Sequence, residues 1–542
     1  MSQFDYIVIG AGSTGCVVAG RLSEAHVGKI CVIEAGPRDR NPFIHIPAGV
    51  VRTMFNPKLS WCYQTEPAEA TAFRQINQPR GKTLGGSGAI NGHIYNRGSR
   101  KDYDDWAAAG NPGWSYDEVL PFFKRSENRI AHRYDTGSST YRGNDGPFTI
   151  TDLDDSEPLC DAFIDSATTL GIAHNSDYNG EQQTGISYAQ RSVHRGCRVS
   201  PARAFLKPAE GRGNTEVITN AHVTRIIFKG KRAVSVVYRQ GESEHTIHAN
   251  KEIILSGGAI ASPQILQLSG VGDGERLKDL DIPVHHHLAG VGQNLRDHYV
   301  SRIMAEVDSD SINQRVHGIR LAAEVLRYAL MRRGALALTP TLLYAFLKSS
   351  PEIDHDDVQI TFTPASYPDG VQAVLDKIPG ITIACWQQRP RSSGYVHARS
   401  GDPFDKPVIQ PNYLSNPDDR EILLKALRWG RRIMNASPFA HRVVREMKPG
   451  VDIQSDEELL AYASQTGHSA YHPMGTCRMG PADDSQRESG SVVDATLKVH
   501  GLDGLRIADA SIMPMMISAN TNAACLMIGE KAADILLTDN RK

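Results

Sequence analysis

A chain of 542 residues that is 40% hydrophobic and 22% charged has the balance of a folded globular protein, with length for two or three domains. Its formal net charge of −2 supplies no field of one sign to recruit nucleic acid, which sets that class of partner aside. No run reaches the roughly 20 apolar residues of a membrane span.

The eight cysteines are dispersed without a CxxC pair. Cys16, Cys31 and Cys525 sit in apolar runs, so reduced packing residues are expected rather than a disulfide framework or a zinc site.

In chain order, "FDYIVIGAGSTGCVVAGRLSE" opens with a short β-branched run over residues 6–9 that suits a strand buried on both faces. The strand starts almost at once and leaves no room for a leader, so an unprocessed, cytoplasmic chain is expected. Gly10, Gly12 and Gly15 follow, then a helical pattern from Ser13 toward Glu24, and a second strand in "KICVIEAG". Gly10 permits the tight turn, Gly12 lets backbone approach a pyrophosphate, and Gly15 allows close helix–strand contact. The free N–H groups at the helix start meet the phosphates. Glu34, roughly 20 residues past the glycines, is placed to accept from a ribose.

Residues 78–106, "QPRGKTLGGSGAINGHIYNRGSRKDYDDW", read on their own as a glycine-rich surface loop. Strands return between residues 214 and 272, ending in a second strand, glycine pair and helix, "KEIILSGGAIASPQILQLSGVG". His285, His286 and His287 invite a metal, but neighbours in an extended segment point to opposite faces and no partner ligands stand at metal spacing. Loop histidines are expected there, and no metal site.

Residues 301–465 have the texture of a separate substrate layer, with strands in "DVQITFTP" and "ITIACWQQ" and a dipole-matched helix in "DDREILLKALRWGRRIMNAS". The basic amphipathic helix of residues 315–333 is expected to pack its apolar face on the core rather than lie on a membrane. The tail restores a strand, "GLRIADASIMP", and a helix after Asn520. Before it stands "SAYHPMGTCRMG", where His472 by itself reads as a loop histidine, with Pro473 biasing it toward extended backbone.

Taken together, "GAGSTG" with Glu34, "RGKTLGGSGAING", "SGGAIASPQILQLSGVG", "GVGQNLRDH", "YHPMGTCRMG" and "LRIADASIMP…ANTNAACLMIGEKAAD" resemble the glucose–methanol–choline (GMC) oxidoreductases, flavoproteins that oxidise alcohols. The resemblance runs from residue 4 to about 537. It implies an α/β fold: a Rossmann-like FAD-binding domain assembled from residues 1–155, 195–300 and 465–542, with an α+β substrate-binding domain from residues 156–194 and 301–464 inserted between them.

It further implies that His472 is the catalytic base and that Asn520, a position held by histidine or asparagine in the family, is its partner. The cofactor contacts implied are Gly10, Gly12, Ser13, Thr14, Gly15, Glu34 and Ala35 in the first motif. Gly85, Gly86, Ser87, Asn91, Gly92, His93 and Ile94 would follow along the pyrophosphate and ring, Val223 at the adenine, and Asp509, Ala510 and Asn522 near the flavin. Some members bind FAD covalently through a histidine where this chain has Ile90, so noncovalent FAD is expected, with His93 the neighbour that could differ.

The expected reaction is oxidation of a small-molecule alcohol, primary by preference, to the aldehyde by hydride transfer to FAD. The acceptor is oxygen, a quinone or another oxidant, and neither nucleic acid nor membrane is an expected partner. The alternatives are a member without net redox chemistry, such as a hydroxynitrile lyase or a light-driven fatty-acid decarboxylase, or a flavin-binding scaffold without turnover.

Overall fold

The computed structural model describes residues 3–131, 140–153, 157–368, 374–487 and 490–541. Two sheets organise it. The first runs Thr215–Ile218, Ile30–Ile33, Gln3–Ile9, Ser243–Leu255, Arg232–Gln240 and Ala221–Lys229, with Leu505–Ile507 also beside Ser243–Leu255. The strands around Gln3–Ile9 are parallel, and the last three form antiparallel hairpins. Ile7, Val8, Ile9 and their neighbours Ile30 to Ile33 are buried, as expected of strands covered on both faces.

Helix Ser13–Glu24 is stitched to the C-terminal helix Thr521–Asp539 from the far end of the chain. Ser13 Oγ donates to Asn522 Oδ1 at 2.7 Å and Thr14 Oγ1 to the Cys525 carbonyl at 2.9 Å. A Cβ at Gly529 would stand 2.7 Å from Val17 Cβ, so the helices approach where a side chain is absent. Glu530, fully buried, binds Arg21 at 2.8 Å and Arg125 at 3.2 Å and accepts from Ser126 Oγ at 3.0 Å. One carboxylate thus ties three distant segments.

The second sheet is antiparallel: Val443–Lys448, Tyr299–Val307, Gly380–Gln387, Val358–Thr363, Leu343–Leu347, Gly185–Tyr188. Strand alternation gives it two faces. Ile303, Ile383, Cys385, Ile360 and Ala345 join the core under helix Pro417–Met434. The opposite face carries a registered row across four strands, Arg302, Ala384, Thr361 and Tyr344. Short strand His468–Ser469 pairs with Tyr299 and Val300, which carries the chain toward His472 along this face.

Three expectations change. The "TLGGSGAINGHIYNR" stretch is no surface loop: Thr83, Ile90, His93, Tyr95, Asn96 and Arg97 are buried. Residues 395–410, assigned above to the substrate layer, form a hairpin on helix Gly258–Leu268 of the first. There Val396 and Ile409 bury with Ile260 and Leu295, and Gln267 Oε1 accepts from Ala398 N at 2.6 Å.

The third concerns the basic helix. It forms at Gly318–Met331, yet Tyr328 is its one fully buried side chain. Its inward side is taken by polar anchors, Tyr328 Oη donating to the Gly196 carbonyl at 2.8 Å and Glu324 accepting from Ala335 N at 2.6 Å. The apolar stripe therefore points away from the core. Among the described residues no helix is long and apolar enough to cross a membrane.

Each ring of the histidine run has its own partner: His285 stacks on Phe228 at 4.5 Å, His286 Nε2 lies 2.9 Å from the His500 carbonyl, and His287 Nδ1 accepts from Gly274 N at 3.0 Å.

Candidate active site

The turn after Gln3–Ile9 is built from absences of side chains. Gly10 has φ +96°, and a Cβ there would lie 2.4 Å from the Ser256 carbonyl oxygen. Gly15 packs so closely that its Cβ would fall 2.0 Å from the Gly10 carbonyl oxygen. Gly12 is different: its nearest contact would be Ser256 O at 4.0 Å, so this backbone faces open space. Gly85 N donates to the Ala11 carbonyl at 2.7 Å, which lays the 85–92 segment along the turn.

Glu34 accepts from Ala11 N at 3.0 Å and Gly36 N at 2.9 Å, leaving lone pairs of both oxygens for a ligand. Burial pushes its carboxyl up to about 7, opposed by those two N–H donors. A ribose hydroxyl donating to it would favour the ionised form.

A cavity of about 730 Å³ extends from this turn to the second sheet. Gly10, Gly12, Ser13, Thr14, Glu34 and Ala35 line one end, and Val223 lies on that side. Gly86, Ser87, Asn91, Gly92 and Ile94 line its length, with Asp509, Ala510 and Asn522. His472 and Asn520 line it where it meets Tyr344 and Trp386 of the second sheet. Three sequence-predicted residues stand behind the wall instead. Gly15 and Gly85 shape the turn, and His93 is turned away, its Nε2 2.9 Å from the Pro47 carbonyl.

His472 is fixed from every side. Its N–H donates to Asp297 Oδ1 at 2.8 Å, Nδ1 lies 2.9 Å from His298 Nδ1, and Nε2 lies 2.9 Å from Asn520 Nδ2. His298 Nε2 is 2.7 Å from the Gln388 carbonyl, an acceptor only. Burial lowers the pKa of both imidazoles, that of His472 well below the usual value with help from His298 and Arg80, so both are neutral. The proton positions then follow. His298 carries its proton on Nε2 and accepts at Nδ1; His472 donates from Nδ1, and its Nε2 lone pair accepts from the Asn520 amide N–H. The oxygen of that amide, Asn520 Oδ1, is buried without a hydrogen-bond partner among the described residues.

Sequence reasoning missed four contributors. His298 closes the quoted motif "GVGQNLRDH", where its terminal histidine was the available signal. Arg198, fully buried with its pKa lowered to about 9 by burial, donates to Asn91 Oδ1 at 2.7 Å and the Asn91 carbonyl at 2.8 Å, holding the ring-side loop. Arg302 and Tyr344 come from strand register, which has no local signature; the Arg302 guanidinium lies over the Tyr367 ring at 5.6 Å.

The residues fit a flavin dinucleotide: a side-chain-free turn at a helix start, an acid at the ribose place, and an elongated cavity ending at the paired His472 and Asn520 side chains. Family models described as GMC oxidoreductase match residues 4–300 and 390–529. An alcohol dehydrogenase [acceptor] of Pseudomonas putida is 39% identical over 99% of this chain and 96% of its own. The mitochondrial choline dehydrogenase of Homo sapiens is 38% identical over 98% and 90%. The crystal structure of pyridoxine 4-oxidase from Mesorbium loti superposes with a TM-score of 0.87 at 27% identity, covering 98% of each chain. With the cavity and its imidazole, these matches make the chain a member of the GMC oxidoreductase family, FAD-dependent enzymes that act on CH–OH groups.

Proposed function

We propose that the protein oxidises a primary alcohol to the aldehyde, with His472 Nε2 as the base. The observation that carries this is the fixed tautomer: a neutral imidazole, its proton committed to His298, holds its Nε2 lone pair at the cavity wall toward the Asn520 amide N–H, whose place a substrate hydroxyl would take. FAD, when bound, supplies the hydride acceptor. His472 Nε2 takes the hydroxyl proton as the carbon gives up its hydride, and the charge left on oxygen is met by the Asn520 amide N–H. Asp297 and Pro473 hold the imidazole backbone in place, so proximity is set before substrate arrives.

The end of the cavity under the second sheet supports a neutral, largely apolar substrate. Val300, Ala384, Tyr344 and Trp386 face it, and the charged groups near it are Arg302 and Arg80, whose guanidinium donates to the Tyr471 carbonyl at 2.8 Å. The wall carboxylates among the described residues, Glu34, Asp405 and Asp509, belong to the side of the first sheet. A quaternary ammonium alcohol would meet the Arg302 guanidinium without a compensating carboxylate, so choline is disfavoured relative to aliphatic or aryl alcohols.

Noncovalent FAD is part of the same proposal. Ile90 at the wall has no nucleophile, His93 points to Pro47, and burial pushes the Cys525 thiol at the wall up to about 12. An anaerobic panel of aliphatic, aryl and choline-like alcohols tests the reading: bleaching of the flavin by primary alcohols and not by choline supports it. No bleaching by any alcohol would move the protein to the lyase or decarboxylase chemistries of its family.

A further inference from the structure

Helix Gly318–Met331 is turned inside out. At 100° per residue, Ile319, Ala322, Ala323, Leu326 and Leu330 fall on one stripe, opposite the anchors Glu324 and Tyr328. That stripe faces solvent, with Ile319, Leu326 and Leu330 exposed to 88%, 59% and 76%. An amphipathic helix of a folded protein buries such a stripe unless another phase or partner covers it.

Charge decides what covers it. Residues 315–333 contain Arg315, Arg320, Arg327, Arg332 and Arg333 against Glu324 alone. Glu324 is spent inward on Ala335 N and on Arg315 and Arg327, and Arg320 meets Asp310 at 3.6 Å. The Arg332 guanidinium lies over the inward Tyr328 ring at 5.1 Å, while Arg333, past the C-terminal end of the stripe, has no carboxylate in ion-pair range among the described residues. Two copies meeting across this face would bring their arginine sets together, which opposes self-association. An apolar stripe flanked by arginines matches the acyl and headgroup zones of an anionic lipid surface.

We propose that this helix docks the protein peripherally on an anionic lipid surface, with Ile319, Leu326 and Leu330 inserted among acyl chains and the flanking Arg320, Arg327 and Arg333 at the headgroups. The docked face continues to the cavity. The turn Ala335–Ala337 packs against both the helix and Pro47–Gly49, and beyond it Val51 is at once exposed and part of the cavity wall. Val51 thus brings part of the cavity wall to the surface next to this helix. This inference stands independently of the role given to His472.

Co-sedimentation of the holoenzyme with vesicles of phosphatidylcholine, alone or mixed with phosphatidylglycerol, tests it. Wild type pellets with the mixed vesicles at low salt and is released by high salt. Leu326→Glu with Leu330→Glu abolishes pelleting while oxidation of a soluble alcohol is unchanged. Arg333→Ala weakens binding roughly fivefold, as for one arginine at such a surface. Wild type that stays in the supernatant, or the double glutamate variant pelleting like wild type, overturns the proposal. So does light scattering that finds a wild-type dimer which the glutamate variant splits, since the face would then join two copies.

Discussion

The Nδ1 atoms of His298 and His472 lie 2.9 Å apart, and only one of them can hold a proton. Because the Gln388 carbonyl claims the Nε2 proton of His298, the shared proton belongs to His472. A residue outside the cavity wall thus fixes which nitrogen of His472 carries its lone pair toward Asn520 and the cavity.

Replacing His298 should therefore slow the reaction without unloading the cofactor. His298→Phe removes the acceptor for His472 Nδ1–H, a buried hydrogen bond of about 1–3 kcal/mol, and is expected to lower the rate of flavin reduction by roughly 10- to 100-fold. His298→Gln, whose amide oxygen can accept, should recover part of the loss. A structural role alone would lower melting temperature and flavin content equally in both variants and leave their pH profiles alike.

The pH dependence follows from the sign of the His472 shift. Burial lowers its pKa well below the ordinary imidazole value, so the neutral base persists as pH falls through about 6.5. The limiting rate of flavin reduction is expected to be level from about pH 6 to 9 and to decline only in stronger acid. A half-maximal rate near 6.5 would contradict the environment described.

Stability moves with the same groups. His93, His298, His468 and His472 all have pKa values lowered by burial, so the unfolded chain takes up protons below about 6.5 that the folded one refuses. Their contribution is full above 6.5 and lost as pH falls. His194, His222, His286 and His397 are lowered by burial as well. Glu34, Asp356 and Asp509, raised by burial, act in the opposite sense as pH rises. The eight imidazoles outnumber the three carboxyls, and melting temperature should fall from pH 7 to 5.

Glu530→Ala should be among the costliest single changes outside the cavity. It strands Arg21, whose side chain is 12% exposed, and unties the N-terminal and C-terminal helices. Removing one partner of a buried pair costs about 3–5 kcal/mol, to be read in urea unfolding.

Acid precipitation of the yellow holoprotein should leave the colour in the supernatant. Flavin retained in the pellet would point to a covalent bond that Ile90, the turned-away His93 and the buried Cys525 thiol do not provide.

The glycine turn, Glu34 and the flanking strands were legible in sequence because their chemistry is local: side-chain-free backbone, a helix start and an acid at fixed spacing. His472 and Asn520 were legible only through resemblance, since 48 residues separate them and nothing local marks their contact. Arg302, Ala384, Thr361 and Tyr344 form a row set by strand register, which periodicity cannot supply. Helix Gly318–Met331 shows the opposite failure. Its amphipathic period was plain, but period does not say which face turns inward, and Tyr328 and Glu324 decided that.

The central claim is that His472 Nε2 removes the alcohol proton. Stopped-flow reduction of the bound flavin by a primary alcohol, without oxygen, measures it most directly in wild type and His472→Ala. A variant that keeps its flavin spectrum but reduces ~10²- to 10⁴-fold more slowly is the predicted result. Reduction at the wild-type rate would contradict it.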